Sequence, residues 1–182
     1  MKKIDARVRY TRRVLKDSFL LLLKEKPVNK ITVKRVCELA EVNRATFYSH
    51  YNDCFDLLEN IEKELLQAFK ESLKMNNCFD VTALIDAIYQ MVEQNQEACR
   101  VLVFQGASSS ILMKMIDIAR EETIAQWKEQ FYKATDKEVE MLYTHLSHGL
   151  MNVVVGGYDK YSKEEVINFV NKIVKSSMEL YQ

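Results

Sequence analysis

The polar side chains between residues 43 and 50 are the ones whose types and spacing favour a defined chemistry. Arg44 carries a forked donor group that can pair with the edge of a guanine, and Tyr48 and His50 can each donate a hydrogen bond to a phosphate oxygen. These donors indicate recognition of a nucleic acid. The chain has no nucleophile elbow, phosphate loop, zinc-protease helix or dinucleotide fingerprint, so we do not expect an enzyme.

The distribution of charge agrees with a polyanionic partner. Residues 1–51 contain 13 Lys or Arg and 5 Asp or Glu, a net charge of +8, whereas residues 52–182 contain 13 and 21, a net charge of −8. A basic segment joined to an acidic body favours contact between that segment and a polyanion. Solvated helices would show the same bias, so charge alone does not decide between the two interpretations.

Two short helices are predicted to position the donors. In the first, Val33, Val36, Cys37 and Ala40 follow the i, i+3, i+4, i+7 spacing of one buried face, and Thr32 can cap it. Because Ala40 is small, a second helix can cross closely after the two-residue turn that follows.

The second short helix carries the donors, and Asn43 can cap it. Phe47 and Tyr51 lie four residues apart and are expected to face inward. At ~100° per residue, the outward side holds Ala45 and Ser49 at its centre and Thr46 and Tyr48 on its shoulders. A small, polar outer face lets a helix enter the major groove, so we interpret residues 32–51 as a helix-turn-helix that binds double-stranded DNA. The basic charge and polar face disfavour the alternative, an ordinary helical hairpin.

The stretch from Arg12 to Leu58 resembles the DNA-binding domain of the tetracycline-repressor (TetR) family of bacterial regulators. The resemblance covers about a quarter of the chain. The resemblance rests on the long first helix, Ile31-Thr32-Val33, Ala40 before the turn, the run from Asn43 to Tyr51, and Leu57-Leu58.

This resemblance implies DNA contacts for nine residues. They are Thr32, Lys34, Asn43, Arg44, Ala45, Thr46, Tyr48, Ser49 and His50. Thr32 and Lys34 lie at a helix N-terminus, which favours a phosphate. Arg44 is the candidate for guanine, and Ala45 or Thr46 for a thymine methyl. Four arginines near the first helix either add a flanking arm or belong to a solvated terminus: Arg7, Arg9, Arg12 and Arg13.

Two positions depart from the family pattern. Glu41 occupies the turn position that is usually glycine, so we expect a left-handed or altered turn at modest cost. Cys54 stands where the family usually has a lysine that touches a phosphate, so one backbone contact is expected to be missing. Both departures predict an operator affinity lower than is typical of the family.

The fold class predicted from composition is all-α, because the chain has one proline and four glycines. Apolar spacing predicts helices over 6–25, 32–40, 43–51, 52–76, 80–96, 98–105, 108–133, 136–157 and 162–181. We assign a helix-turn-helix domain to residues 1–52, a connecting fourth helix to 53–79, and a helical dimerisation and effector domain to 80–182. In the fourth helix the residues expected to face inward are Phe55, Leu58, Ile61, Leu65 and Phe69.

The last two helices are predicted to join a homodimer, as the resemblance implies. Each carries a long apolar stripe, and that of the last helix includes Phe169, Val170 and Ile173. Gly149 lies inside a predicted helix, where glycine costs about 1 kcal/mol relative to alanine, so a close packing contact is expected there.

An effector pocket is predicted at Tyr89, Phe104, Met113 and Trp127, although residues of these types are more often plain core. His145 and His148 lack a third ligand, so we predict no metal site and no cofactor. The four cysteines are widely spaced and interpreted as reduced thiols, and neither a membrane span nor a secretion signal is seen, so we expect a cytoplasmic protein.

The function predicted from the sequence is sequence-specific regulation of transcription. We expect a dimeric repressor that binds a palindromic operator and is released by a small apolar or cationic effector. The alternative keeps DNA binding but replaces the effector with a partner protein. A defined cavity would favour the first, and a filled core with an exposed apolar patch the second.

Overall fold

The computed structural model describes residues 6–75, 81–108 and 110–181. Every regular element in this part of the chain is helical, and the predicted all-α fold is confirmed. The elements are α1 (Ala6–Leu23), a 3₁₀ turn (Val28–Lys30), α2 (Val33–Ala40), α3 (Arg44–Tyr48), α4 (Cys54–Met75), α5 (Val81–Gln94), α6 (Gln96–Cys99), a π-helix (Arg100–Phe104), α7 (Ile111–Gln130), α8 (Asp136–Gly157) and α9 (Lys163–Glu179). None of these helices is long and apolar enough to cross a membrane.

The chain divides into two compact units. The N-terminal unit comprises the residues up to Leu65 together with Glu97–Ser108, and the body unit comprises Leu66–Gln96 and the residues after 109. The boundary between the units therefore falls inside α4. The segment Glu97–Ser108 packs with the N-terminal unit, although it lies in the middle of the sequence. The functional boundaries assigned from the sequence, at residues 52 and 79, stay a prediction.

The N-terminal unit is built around side chains with no exposed surface. They include Leu15 and Phe19 of α1, Val36 of α2, Phe47 of α3, and Leu57 of α4. In this unit α1 packs against α2, and α2 against α3.

The prediction that Phe55 of α4 faces inward was wrong. Phe55 is 56% exposed, whereas Leu57, Ile61, Leu65 and Phe69 are buried. Leu57 and Ile61 lie one turn apart on one face, and Phe55 is displaced from Leu57 by about 200° of helical rotation. The side chain of Phe55 consequently faces away from the core.

The segment Glu97–Ser108 is fastened into the N-terminal unit by polar contacts. The Ser108 hydroxyl donates to the Glu62 carboxylate of α4 at 2.6 Å, and both side chains are buried. Lys24, just after α1, forms an ion pair with Glu97 at 2.6 Å. The helix predicted over 98–105 is therefore present, but its second half is a π-helix followed by Gly106 at φ +69°.

In the body unit α8 packs against α7 and α9, and α9 also packs against α5. Capping boxes start both long helices. Thr135 and Glu138 exchange hydrogen bonds at the start of α8, and Ser162 and Glu165 do so at the start of α9, as the Ser-Lys-Glu-Glu string predicted. These caps satisfy backbone N–H groups that a helix N-terminus leaves without a partner.

The apolar stripe predicted for α9 splits between core and surface. Val166, Val170 and Val174 are buried, whereas Phe169 is 51% exposed and Ile173 is 43% exposed. The apolar stripe that spacing identifies on α9 is wider than the surface that the core of the body unit covers. Only the valine edge of the stripe is buried. The other edge remains at the surface of the chain.

Candidate nucleic-acid interface

The first helix of the motif, α2, is fixed at both ends by its own residues. The Thr32 side chain accepts a hydrogen bond from the Arg35 N–H at 3.3 Å, which caps the N-terminus. At the C-terminus Glu41 adopts φ 54° and ψ 37°, the left-handed conformation predicted for this turn. A non-glycine residue takes that conformation only at some cost, so the turn is formed but not relaxed.

The second helix, α3, begins at an asparagine cap. Asn43 Oδ1 accepts from the Thr46 N–H at 2.7 Å and from the Thr46 hydroxyl at 2.9 Å. The helix ends at Tyr48, three residues before the predicted end. The His50 N–H still donates to the Phe47 carbonyl three residues earlier, at 2.9 Å, so the chain continues as a tightened turn.

The faces of α3 follow the predicted 100° step. Phe47 is fully buried and Tyr51 is 7% exposed, whereas Ala45 and Ser49 are exposed. Tyr48 is 58% exposed. A small, polar outer face therefore stands clear of the unit's core, as a helix that enters a groove requires.

Three side chains of α3 and the turn after it have donors that no group of the described chain accepts. The Thr46 hydroxyl donates to Asn43, and the Ser49 hydroxyl donates to the Thr46 carbonyl at 2.7 Å. Within the described chain the side chains of Arg44, Tyr48 and His50 form no hydrogen bond. Arg44, Tyr48 and His50 are therefore available to acceptors outside the protein.

A glutamate on α2 partly neutralises the basic residues beside the motif. Glu38 lies 3.8 Å from Lys34 and 3.4 Å from Arg35, and all three side chains are exposed. Exposed ion pairs of this kind contribute about 0–1 kcal/mol, so a phosphate can compete for Lys34 at low cost. Sequence spacing alone could have found Glu38, because it lies at i+4 from Lys34.

Arg12 of α1 acts electrostatically on the end of the motif. The pKa of His50 is lowered below its ordinary value, first by burial and then by the charge of Arg12. Burial raises the pKa of Tyr51, and Arg12 opposes that rise. Arg12 thus places its charge near His50 and Tyr51, which agrees with a flanking basic contribution from α1.

The start of α4 differs from the family pattern in its electrostatics as well as in its sequence. Cys54 is buried, and burial raises its pKa to about 11, so the thiol is neutral at pH 7. Asp53 caps the helix by accepting from the N–H groups of Phe55 and Asp56 at 2.8 Å. A carboxylate therefore occupies the helix N-terminus that could otherwise face a phosphate.

The body unit contains a separate cavity of about 330 Å³. Trp127 lines it, together with Phe69, Met115, Tyr143 and Phe169. The other residues predicted for a pocket lie elsewhere. Tyr89 packs its ring on Tyr158, Met113 is 46% exposed, and Phe104 belongs to the N-terminal unit.

Neither histidine of α8 has metal ligands around it. No group of three or more His, Cys, Asp or Glu side chains that could hold an ion occurs among the described residues. His148 Nδ1 lies 2.7 Å from the Thr144 carbonyl, and His145 lines the cavity. Cys37, Cys54 and Cys99 are buried free thiols, and Cys78 lies outside the described residues.

Comparison with known proteins gives regulators of transcription rather than enzymes. No protein-family model matches the chain. Over 75 residues it is 28% identical to YxbF of Bacillus subtilis (strain 168), an uncharacterized HTH-type transcriptional regulator. That match covers 41% of this chain and 18% of the relative, so the chain spans less than a fifth of that protein's length.

Solved structures share the fold over nearly the whole chain. A putative transcriptional regulator from Pseudomonas aeruginosa PAO1 has a TM-score of 0.64 at 14% identity, covering 94% of this chain and 93% of that one. The fatty acid degradation regulator FadR from Bacillus halodurans has 0.60 at 14%, covering 94% and 96%. The dihydroxyacetone kinase operon activator DhaS has 0.62 at 13%, covering 94% and 98%. At such identities the likeness establishes the fold.

Proposed function

We propose that this chain is a TetR-family regulator that binds an operator in double-stranded DNA through α2 and α3. The observation that carries the proposal is the surface formed by α3 and the two residues after it. Arg44, Tyr48 and His50 have donors there that no group of the described chain accepts, and they flank an outer face of small side chains. The net charge of +8 over residues 1–51 supports it, because duplex DNA is a dense polyanion.

The nine residues predicted from the sequence divide by chemistry. Arg44 reads a guanine edge, and Ala45 or Thr46 contacts a thymine methyl. Thr32, Lys34, Asn43, Tyr48, Ser49 and His50 hold or position phosphates, which set the register of the protein on the duplex.

We propose that two copies associate through α8 and α9. A palindromic operator requires two recognition helices one DNA turn apart, about 34–36 Å. Phe169 and Ile173 leave an apolar edge exposed, and Met141 of α8 is 64% exposed. Gly149 and Gly156 lie seven residues apart, hence on one face of α8, and a Cβ at either would meet nothing within 4 Å. No neighbour within the described chain explains Gly149, so the close contact predicted there is assigned to a second copy.

The regulator is proposed to be a repressor that a small molecule releases from DNA. A cavity in the body unit supports this mechanism over control by a partner protein, which would call for a filled core. Two wall residues, Phe69 and Leu73, belong to α4, whose first half lies in the N-terminal unit.

The proposal is tested by selecting bound fragments from genomic DNA and measuring the affinity of the purified protein for the selected duplex and for a scrambled one. We expect a palindromic sequence bound by a dimer. Phe169→Glu and Met141→Glu should each yield monomers and lose operator binding, and Met141 does not line the cavity. Equal affinity for both duplexes, or a monomer at micromolar concentration in sedimentation, would contradict the proposal. Deleting the gene should raise transcription of the neighbouring genes if the chain represses them.

A further inference from the structure

The cavity of the body unit has an aromatic inner wall and an open mouth. Phe69, Trp127 and Tyr143 are at most 7% exposed, so they form the inner wall. Phe169 is half-exposed and Gly149 is exposed, so they lie at the mouth, which the second copy proposed above would close. A cavity of about 330 Å³ lined in this way accepts an apolar molecule of moderate size.

The charged side chains of the wall are of one sign. Glu122 of α7 lines the cavity, and neither lysine nor arginine occurs among the described residues that line it. The Glu122 carboxylate forms no hydrogen bond or ion pair with the described part of the chain, whereas Arg120, two residues earlier and about 200° around the helix, is ion-paired with Glu140 and does not line the cavity. An unpaired carboxylate beside an apolar space attracts a positive charge and repels a negative one.

The aromatic wall adds to the same preference. The face of an aromatic ring is the negative end of its quadrupole, so cations bind over Trp, Tyr and Phe rings. The Tyr143 ring already receives the Arg120 guanidinium at 5.8 Å from its centroid. The rings of Phe69, Trp127 and Phe169 have no cation of the chain over them among the described contacts.

We infer that the cavity binds a lipophilic cation, with its apolar part among the aromatic side chains and its charge beside Glu122. Other polar groups of the wall do not compete for this role. The Thr123 hydroxyl donates to the Ala119 carbonyl at 2.7 Å, and the Tyr143 hydroxyl donates to the Ile116 carbonyl at 2.6 Å. His145 at the mouth is a further polar group and carries no fixed negative charge. Only the consequence of binding for DNA rests on the proposed function, and the binding itself does not.

Trp127 provides a direct readout, because it is the single tryptophan of the chain and lies in the wall. We would titrate the full-length protein with decyltrimethylammonium, 1-decanol and decanoate below their micellar concentrations and follow tryptophan emission. These probes share a ten-carbon chain and differ in charge. From the usual range of exposed ion pairs and cation–π contacts, the cation should bind about three- to tenfold tighter than decanoate, with decanol between them.

The matched variants are Glu122→Gln and Glu121→Gln. Both glutamates are exposed residues of α7, but only Glu122 belongs to the cavity wall. Glu122→Gln should narrow the differences among the three affinities, and Glu121→Gln should leave them unchanged. Ala119→Phe, which fills the wall beside Glu122, should weaken all three probes.

Equal binding of decanoate and the cation, an order unaffected by Glu122→Gln, or unchanged emission in all titrations would overturn the inference. A gel-shift measurement of operator binding, with and without the cation, tests the inferred cation site separately from the proposed function. Cation binding that leaves operator affinity unchanged supports the site and contradicts release by an effector. Operator binding without a cation preference supports the DNA-binding proposal and contradicts this site.

Discussion

The two units of the chain assemble their polar groups over very different distances along the sequence. The donors of the N-terminal unit lie within seven residues of one another, on the five-residue helix α3 and the turn that follows it, and the cap of that helix, Asn43, is adjacent. The cavity of the body unit is assembled from residues between Phe69 and Val174, carried by five helices. A site that depends on one helical period can be recognised from spacing, whereas a site that depends on how helices pack cannot.

The largest expected difference between the two units is in how their binding affinities depend on ionic strength. If α2 and α3 meet the phosphates of a duplex, 6–10 contacts per dimer would lower affinity by about 10³–10⁵-fold between 50 and 200 mM salt. Binding of 1-decanol to the cavity involves no charge and should change little over that range. Fluorescence anisotropy for DNA and tryptophan emission for decanol measure the two. Equal salt responses would contradict the assignment of the basic segment to DNA.

The buried and exposed phenylalanines of the N-terminal unit give the next largest contrast. Phe47 is fully buried and Phe55 is 56% exposed. Phe47→Ala should destabilise this unit by about 3–5 kcal/mol, because it leaves a cavity, and should abolish DNA binding. Phe55→Ala serves as the control and should change the free energy of unfolding by no more than about 0.5 kcal/mol. Urea unfolding followed by circular dichroism measures both, and a similar loss in the two variants would contradict the packing described for α4.

Two substitutions on the outer face of α3 should separate base contacts from phosphate contacts. Arg44→Ala should cost about 1–3 kcal/mol per half-site on the operator and less on a scrambled duplex, because a base edge carries sequence information. Tyr48→Phe removes one hydroxyl and should weaken both duplexes alike. If Arg44→Ala weakens both duplexes equally, Arg44 is a phosphate contact and the base reader is Ala45, Thr46 or Ser49.

The smallest expected effect is a pH dependence carried by His50. Burial and the charge of Arg12 hold its pKa below 6.5, so the imidazole of the free protein is neutral at pH 7. A bound phosphate favours the protonated form, so DNA binding takes up a proton and affinity should rise as pH falls toward the lowered pKa of His50 in the free protein, by less than about tenfold. Affinities from pH 8 to 5.5 test this. His50→Ala should flatten the profile, and His148→Ala in the body unit should not; a profile unchanged by His50→Ala would place His50 away from phosphate.

Much of the fold and of the DNA-facing site could be predicted because helix period and capping are local. Asn43, Thr32 and Ser162 cap helices where their residue types predicted it. Phe47 of α3 and Tyr51 just beyond it are both buried, and the Tyr51 N–H donates to the Phe47 carbonyl one turn earlier. Glu41 adopts the left-handed conformation, one of the two alternatives that the comparison with the family pattern left open.

Other features required the tertiary structure, because they depend on residues distant in sequence. The buried hydrogen bond from Ser108 to Glu62 spans 46 positions, and neither residue stands out by type. Spacing could not tell that Phe55, Phe169 and Ile173 would remain exposed, since a stripe shows only that residues share a face, not whether another helix covers it. For the same reason spacing did not single out the wall of the cavity of about 330 Å³, which includes only Trp127 of the residues predicted for a pocket. Apolar residue type is the same in a core and in a cavity wall, and only the packing of five helices decides which of the two a side chain joins.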